Sequence, residues 1–124
     1  MEFDALSGKV IGCAIEVHRH LGPGLLESAY QNCLLFELHH EGIQAEKELQ
    51  LPVKYKGVDL DCGYRIDILV EKKIVVELKC VEELSGIHSA QILTYMKLGK
   101  YPVGLLLNFH VERLKDGGIK RFVL

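Results

Sequence analysis

The sequence lacks the features that mark several classes of protein. No apolar run approaches the roughly 20 residues that a membrane-spanning helix needs. No two of its four cysteines form a CxxC pair, so a clustered zinc or iron–sulfur site is not predicted. We interpret the cysteines as small, buried apolar side chains in a reducing compartment, except for Cys80, which lies beside the site proposed below and could be partly reactive. The first ten residues, MEFDALSGKV, are acidic and polar rather than a secretory signal, so a cytoplasmic protein is expected.

The chain also lacks an excess of positive charge. Its formal net charge is −2 at pH 7. A protein that only coats nucleic acid would be basic overall, so that class is disfavoured. An enzyme that meets phosphate through bound cations is not excluded, because carboxylates that hold a metal make the formal charge negative.

The hydrophobic pattern predicts one α/β domain over residues 1–124, with a mixed sheet and helices packed on it. At 124 residues, the chain is long enough to bury a modest core. We see no internal repeat, linker or low-complexity tract. Helices are predicted over 6–21, 25–41 and 85–98, and strands over 46–55, 59–70, 74–79, 103–108 and 119–123.

The stretch DILVEKKIVVELK, which begins at Asp67 and ends at Lys79, carries acidic residues inside two apolar runs. Such runs predict a hairpin of buried strands. A loop of three residues, 71–73, would place Asp67 opposite Glu77 and on the same face as Lys79. A loop of two residues would turn Asp67 to the other face, so the loop length decides whether the acids meet.

Two carboxylates that face each other repel unless a cation neutralises them. Mg²⁺ or Mn²⁺ on Asp67 and Glu77 would do so, since such ions take one or two protein carboxylates and oxygens of substrate phosphate. Lys79 could then orient or deprotonate the attacking water, or stabilise charge on the phosphate. Helical spacing places Glu27 near the line of apolar Leu34, where it would be a further metal ligand or would hold a metal-bound water. The alternative is a solvated hairpin with a Glu–Lys pair.

Two polar residues of the third predicted helix, Gln91 and Tyr95, lie one turn apart on one face. Gln91 could bind a metal-bound water or a phosphate, and Tyr95 could bind a phosphate or stack on a base. In the alternative interpretation Tyr95 belongs to the core and Gln91 to the surface.

At these residues the sequence resembles a known family. The segment Gly24-Leu-Leu-Glu27-Ser-Ala-Tyr30 matches the signature of the GxxExxY proteins, which belong to the PD-(D/E)XK nuclease superfamily. Asp67 resembles the first acid of that superfamily and Glu77-Leu78-Lys79 its ExK motif. The segment from Gln91 to Tyr95 resembles the QxxxY motif of one nuclease branch.

The resemblance covers nearly the whole chain and implies a restriction-endonuclease-like αβββαβ core, here with an extra N-terminal helix. It also implies divalent-metal phosphodiester cleavage, in which Glu27, Asp67 and Glu77 serve the metal and Lys79 is catalytic.

The leading hypothesis is therefore a Mg²⁺- or Mn²⁺-dependent nuclease that acts on nucleic acid, with DNA as the expected substrate. The alternative is a nuclease-fold module with weak or no catalysis that binds nucleic acid or protein. No added DNA-binding domain is evident and the charge is not basic, which in that case favours a partner protein or a homodimer. A metal-free structural domain is the third hypothesis.

Overall fold

The computed structural model describes residues 2–124, with side chains from residue 5 onward. Three helices and seven strands follow one another along these residues. They are α1 (Glu2–Leu21), α2 (Glu27–His40), β1 (Ala45–Gln50), β2 (Val53–Tyr55), β3 (Val58–Leu60), β4 (Arg65–Val70), β5 (Ile74–Lys79), α3 (Gly86–Gly99), β6 (Val103–Asn108) and β7 (Ile119–Val123).

Five of the strands form one mixed sheet in the order β1-β4-β5-β6-β7. Only the pairing of β5 with β6 is parallel, and α3 supplies the crossover between them. The elements α2, β1, β4, β5, α3 and β6 give the predicted αβββαβ order, with α1 added before it and β7 after it. The predicted restriction-endonuclease-like fold class is thereby confirmed.

Apolar side chains cover both faces of the sheet and form two clusters. Helices α1 and α2 pack on one face, where Val76, Leu78 and Leu105 meet Tyr30 and Leu34. Helix α3 packs on the other face through a second set of side chains, which are Ile66, Leu69, Val75, Ile92, Tyr95, Met96 and Leu106. Because β5 and β6 are buried on both faces, they read as continuous apolar runs and not as alternating ones.

Two of the predicted strands are longer than the strands in the structure. The strand predicted over 46–55 is divided at Leu51-Pro52, because Pro52 has no N–H with which to continue a ladder. The strand predicted over 59–70 is divided after Leu60, where the Asp61 carboxylate accepts the Gly63 N–H at 2.9 Å and closes a turn. The segments between the two breaks, β2 and β3, form a separate two-stranded hairpin.

The prediction that the cysteines other than Cys80 are buried is confirmed for Cys13 and wrong for Cys62. Cys13 is buried, Cys33 and Cys80 are half-buried, and Cys62 is exposed in the turn after β3. All four are free thiols. No helix in the described part of the chain is both long and apolar enough to cross a membrane.

Candidate active site

The β4–β5 hairpin has the three-residue loop on which the predicted site depends. Val70 pairs with Ile74 across residues 71–73. Glu71 and Lys72 both have positive φ, 52° and 55°, as in the mirror-image turns that match the twist of a hairpin. The Glu71 carboxylate accepts the Gln44 N–H at 2.6 Å, which ties the turn to the start of β1. The predicted register is therefore confirmed.

Asp67 and Glu77 meet where the backbone ladder of this hairpin stops. The last recorded backbone pair is Ile68 with Val76. Beyond it, the Asp67 N–H donates to Glu77 Oε2 at 2.9 Å and the Leu78 N–H donates to Asp67 Oδ2 at 2.8 Å. Each carboxylate thus takes a backbone donor of the opposite strand, which holds the two acids side by side between the strands.

Burial makes this pair of carboxyl groups electrostatically unfavourable without a cation. Glu77 is only 3% exposed. Loss of solvation, followed by the charge of Asp67, raises the pKa of Glu77 to about 8. Loss of solvation also raises the pKa of Asp67, to about 6, and the charges of Glu27 and Glu48 contribute in the same direction. The Lys79 ammonium lowers the pKa of both acids, so it lies close enough to interact with the pair.

Asp67 opens into a cleft of about 280 Å³ between α2 and the sheet. The cleft is lined by Glu27, Ser28, Gln31, Glu48, Asp67 and Leu78. Glu27 is exposed on this cleft, so the prediction that it points toward the apolar side of its helix is wrong. It is the first residue of α2, and the first turn of that helix overhangs the cleft, while Leu34 two turns later reaches the core.

The segment that carries Glu27 is fixed by the other residues of its motif. Gly24 has a φ of 101°, a conformation that favours glycine. The Tyr30 hydroxyl donates to the Gly22 carbonyl and accepts the Leu25 N–H at 3.2 Å. The Tyr30 ring is fully buried and stacks on Phe109, with 4.4 Å between the ring centroids. Tyr30 therefore anchors the loop from which α2 begins and so sets the position of Glu27.

Replacing Tyr30 with phenylalanine is expected to lower the free energy of unfolding by about 1–3 kcal/mol. The ring packing would survive, but the Gly22 carbonyl and the Leu25 N–H would lose their partner. Urea unfolding of both proteins measures the difference, and Tyr55→Phe is the matched control because Tyr55 is exposed. Equal losses in the two variants would contradict this role of the Tyr30 hydroxyl.

Glu48 is a residue of the cleft that the sequence did not single out. It lies in the middle of β1 with a φ of 54°, which is rare for a non-glycine residue. Its carboxylate accepts the Gln31 side-chain N–H at 2.7 Å. Nothing in the sequence EKELQ distinguishes Glu48 from its neighbours; only the three-dimensional structure brings it to Asp67.

A comparison with protein-family models matches residues 4–122 to the PD-(D/E)XK nuclease superfamily. The chain belongs to the PD-(D/E)XK nuclease superfamily. No curated protein and no solved structure matches it significantly. For a PD-(D/E)XK protein, the meeting of Asp67 with Glu77 next to Lys79 is the arrangement that the sequence resemblance implies.

The two substrate-binding candidates of this PD-(D/E)XK domain lie across the sheet from the Glu27 cleft. Tyr95 is 5% exposed and belongs to the cluster beneath α3, so its ring is a core residue, as the alternative interpretation held. Gln91 donates to the Tyr95 hydroxyl at 3.3 Å. Burial, and then the charge of Glu77, raises the pKa of Tyr95. Tyr64, which is 44% exposed, lies over the Tyr95 ring with a centroid distance of 5.8 Å.

The residues present fit a divalent cation held by few protein ligands. Nucleases of this superfamily generally use divalent metal ions. Within the described residues, no three His, Cys, Asp or Glu side chains are grouped as a ready-made metal cage. Two facing carboxylates with raised pKa values are a sufficient protein contribution for Mg²⁺, which completes its shell with water and phosphate oxygens. The assignments of Glu27, Asp67 and Glu77 as metal ligands stay predictions.

Proposed function

We propose that this protein is a divalent-metal-dependent nuclease that hydrolyses phosphodiester bonds of DNA. The observation that carries the proposal is the contact of Asp67 with Glu77 in a chain that belongs to a nuclease superfamily. The charge of Lys79 acts on both of these acids. Asp67 and Glu77 are the residues that would hold Mg²⁺ or Mn²⁺, with Glu27 facing the same site from α2. When bound, such an ion supplies charge stabilisation to the phosphoryl group.

The remaining steps belong to the side chains of the chain itself. The Lys79 ammonium, whose charge lowers the pKa of both acids, can orient the attacking water and stabilise the charge that develops on the phosphate oxygens. The two backbone N–H groups that bind the acids keep both carboxylates fixed during the reaction. Gln91, held by the Tyr95 hydroxyl, would bind a phosphate at the α3 side of the site.

The proposal extends to several finer points. Within the superfamily, we assign the chain to the GxxExxY family, because Gly24, Glu27 and Tyr30 have separate and identifiable tasks in one loop. We propose a cytoplasmic location, since a chain with a surface-exposed free thiol at Cys62 suits a reducing compartment. A homodimer is proposed only for the case in which the domain acts as a binding module.

The direct test is incubation of the purified protein with single-stranded DNA, double-stranded DNA and RNA, each with Mg²⁺, Mn²⁺ or EDTA. We expect cleavage of DNA with either metal and none with EDTA. Separate titrations of metal and of uncleaved DNA, with size-exclusion chromatography, give the second readout. Binding of DNA without cleavage under every metal condition would favour the module hypothesis. Binding of neither metal nor nucleic acid at physiological salt would contradict the proposal.

A further inference from the structure

One rung is missing from the ladder between the edge strand β1 and the site strand β4. Lys47 pairs with Ile68 and Leu49 pairs with Ile66, yet no pair is recorded between Glu48 and Asp67. The register is the same on both sides of the gap, so each strand contributes one unpaired residue. Across the gap, the side chains of β4 change from one face of the sheet to the other. Ile68 packs under α1 and α2, whereas Ile66 packs under α3. Strict alternation would have put both on one face.

A single side-chain amide fills this gap. Gln31, on α2, donates from Nε2 to Glu48 Oε2 at 2.7 Å and to the Asp67 carbonyl at 2.9 Å. The same nitrogen therefore binds both residues that failed to pair with each other. Both distances are those of well-formed N–H···O bonds.

The bridge also connects the two sides of the site. Gln31 lies four residues after Glu27, so it shares a helix face with that acid. Gln31 holds the backbone carbonyl of Asp67, and the Leu78 N–H holds the Asp67 carboxylate. A shift of the carbonyl would move the carboxylate, since both belong to one residue.

We propose that Gln31 and Glu48 are a positioning pair that replaces the missing rung and thereby sets the Asp67 carboxylate against Glu77. The catalytic part of this inference rests on the proposed nuclease function; the positioning of Asp67 does not. Glu48 serves as the acceptor that orients the Gln31 amide. Its left-handed backbone is the kind of strain that persists where the surroundings hold a residue in place, and such strain concentrates at functional sites.

The first test measures hydrogen exchange of the Leu78 amide, which reports the bond to the Asp67 carboxylate without any need for metal or substrate. The Leu107 amide, on the neighbouring strand, corrects for global unfolding. In Gln31→Leu we expect the ratio of Leu78 to Leu107 exchange rates to rise about tenfold. Asn32→Ala is the matched control, because Asn32 also ties α2 to β1, through Lys47 at 2.8 Å, but does not touch Asp67.

Variants of Glu48 separate its acceptor oxygen from its charge. Glu48→Gln keeps an oxygen that can accept from Gln31, so its exchange ratio should stay within about twofold of the unsubstituted protein. Glu48→Ala removes the acceptor and should behave like Gln31→Leu. The double variant Gln31→Leu/Glu48→Ala should be no worse than either single variant, since the two residues act as one unit.

Kinetics give the second test. In Gln31→Leu we expect kcat on DNA to fall about 10²-fold, as for a misplacement of about 1 Å, with KM changed by less than about threefold. Equal exchange ratios in Gln31→Leu and Asn32→Ala would overturn the proposal, and so would a Glu48→Gln variant that behaves like Glu48→Ala. If the unsubstituted protein cleaves no nucleic acid, the proposed function fails, and the exchange experiments still decide whether this pair positions Asp67.

Discussion

DNA cleavage with Mg²⁺ is expected to fall by about 10³-fold when Lys79 is replaced by methionine. Methionine keeps the length of the side chain and removes the ammonium group, whose charge lowers the pKa of both site acids. The transition state would then lose the charge that meets the phosphate oxygens and the group that orients the attacking water. Single-turnover cleavage rates, with thermal unfolding as a check of folding, measure the effect.

The matched control is Lys72→Met, which removes a lysine from the exposed turn of the same hairpin. It should cleave at a rate within about twofold of the unsubstituted protein. Asp67→Asn should be as inactive as Lys79→Met. Robust cleavage by folded Lys79→Met or Asp67→Asn protein would rule out the mechanism. Recovery of Lys79→Met at pH 9 would show that Lys79 acts only by keeping the acids ionised.

In metal-free buffer, the free energy of unfolding is expected to decrease as the pH rises from about 5 to about 8. Burial raises the folded-state pKa of Asp67 to about 6 and that of Glu77 to about 8. Between its ordinary pKa and its raised pKa, each acid keeps a proton in the folded state that the unfolded chain releases. The free energy of unfolding therefore decreases by up to about 1.4 kcal/mol per pH unit for each group, on the order of a few kcal/mol in total.

Urea unfolding at several pH values measures this slope. Glu77→Gln should flatten it and should be more stable than the unsubstituted protein at pH 8. Glu83→Gln is the control, because Glu83 is exposed and outside the site. Saturating Mg²⁺ should also flatten the slope, since an ion that binds only the folded state favours the ionised acids there. A stability that increases through this pH range would contradict the buried, unneutralised pair.

The hairpin shows why part of the site could be predicted from sequence. Side chains on a strand alternate with a period of two, so one count of the loop residues decides which acids share a face. That count placed Asp67 with Glu77, and the structure confirms it through the Val70–Ile74 pair. The ladder ends earlier than expected, because the two acids take the backbone N–H groups at that point.

Glu27 and Tyr95 show where the same reasoning failed or remained open. Helical periodicity placed Glu27 on the same side of α2 as the apolar residue Leu34. Periodicity does not say how far a helix extends beyond the sheet that it covers. For Tyr95, spacing could not distinguish a core residue from a substrate contact. Its burial under α3 depends on the neighbouring Ile66 and Leu69, which lie about thirty residues away in sequence.

The sequence was sufficient to predict the mixed α/β fold, because that follows from local periodicity. It also reduced the meeting of Asp67 with Glu77 to the length of one loop, which the pairing of Val70 with Ile74 decides. It did not determine that Glu48 and Gln31 join this site. Their contact with Asp67 spans three separate elements, and it exists only because one rung of the β1–β4 ladder is replaced by a side-chain amide. Such a replacement depends on how α2 packs on the sheet, and this packing is decided by the tertiary structure alone.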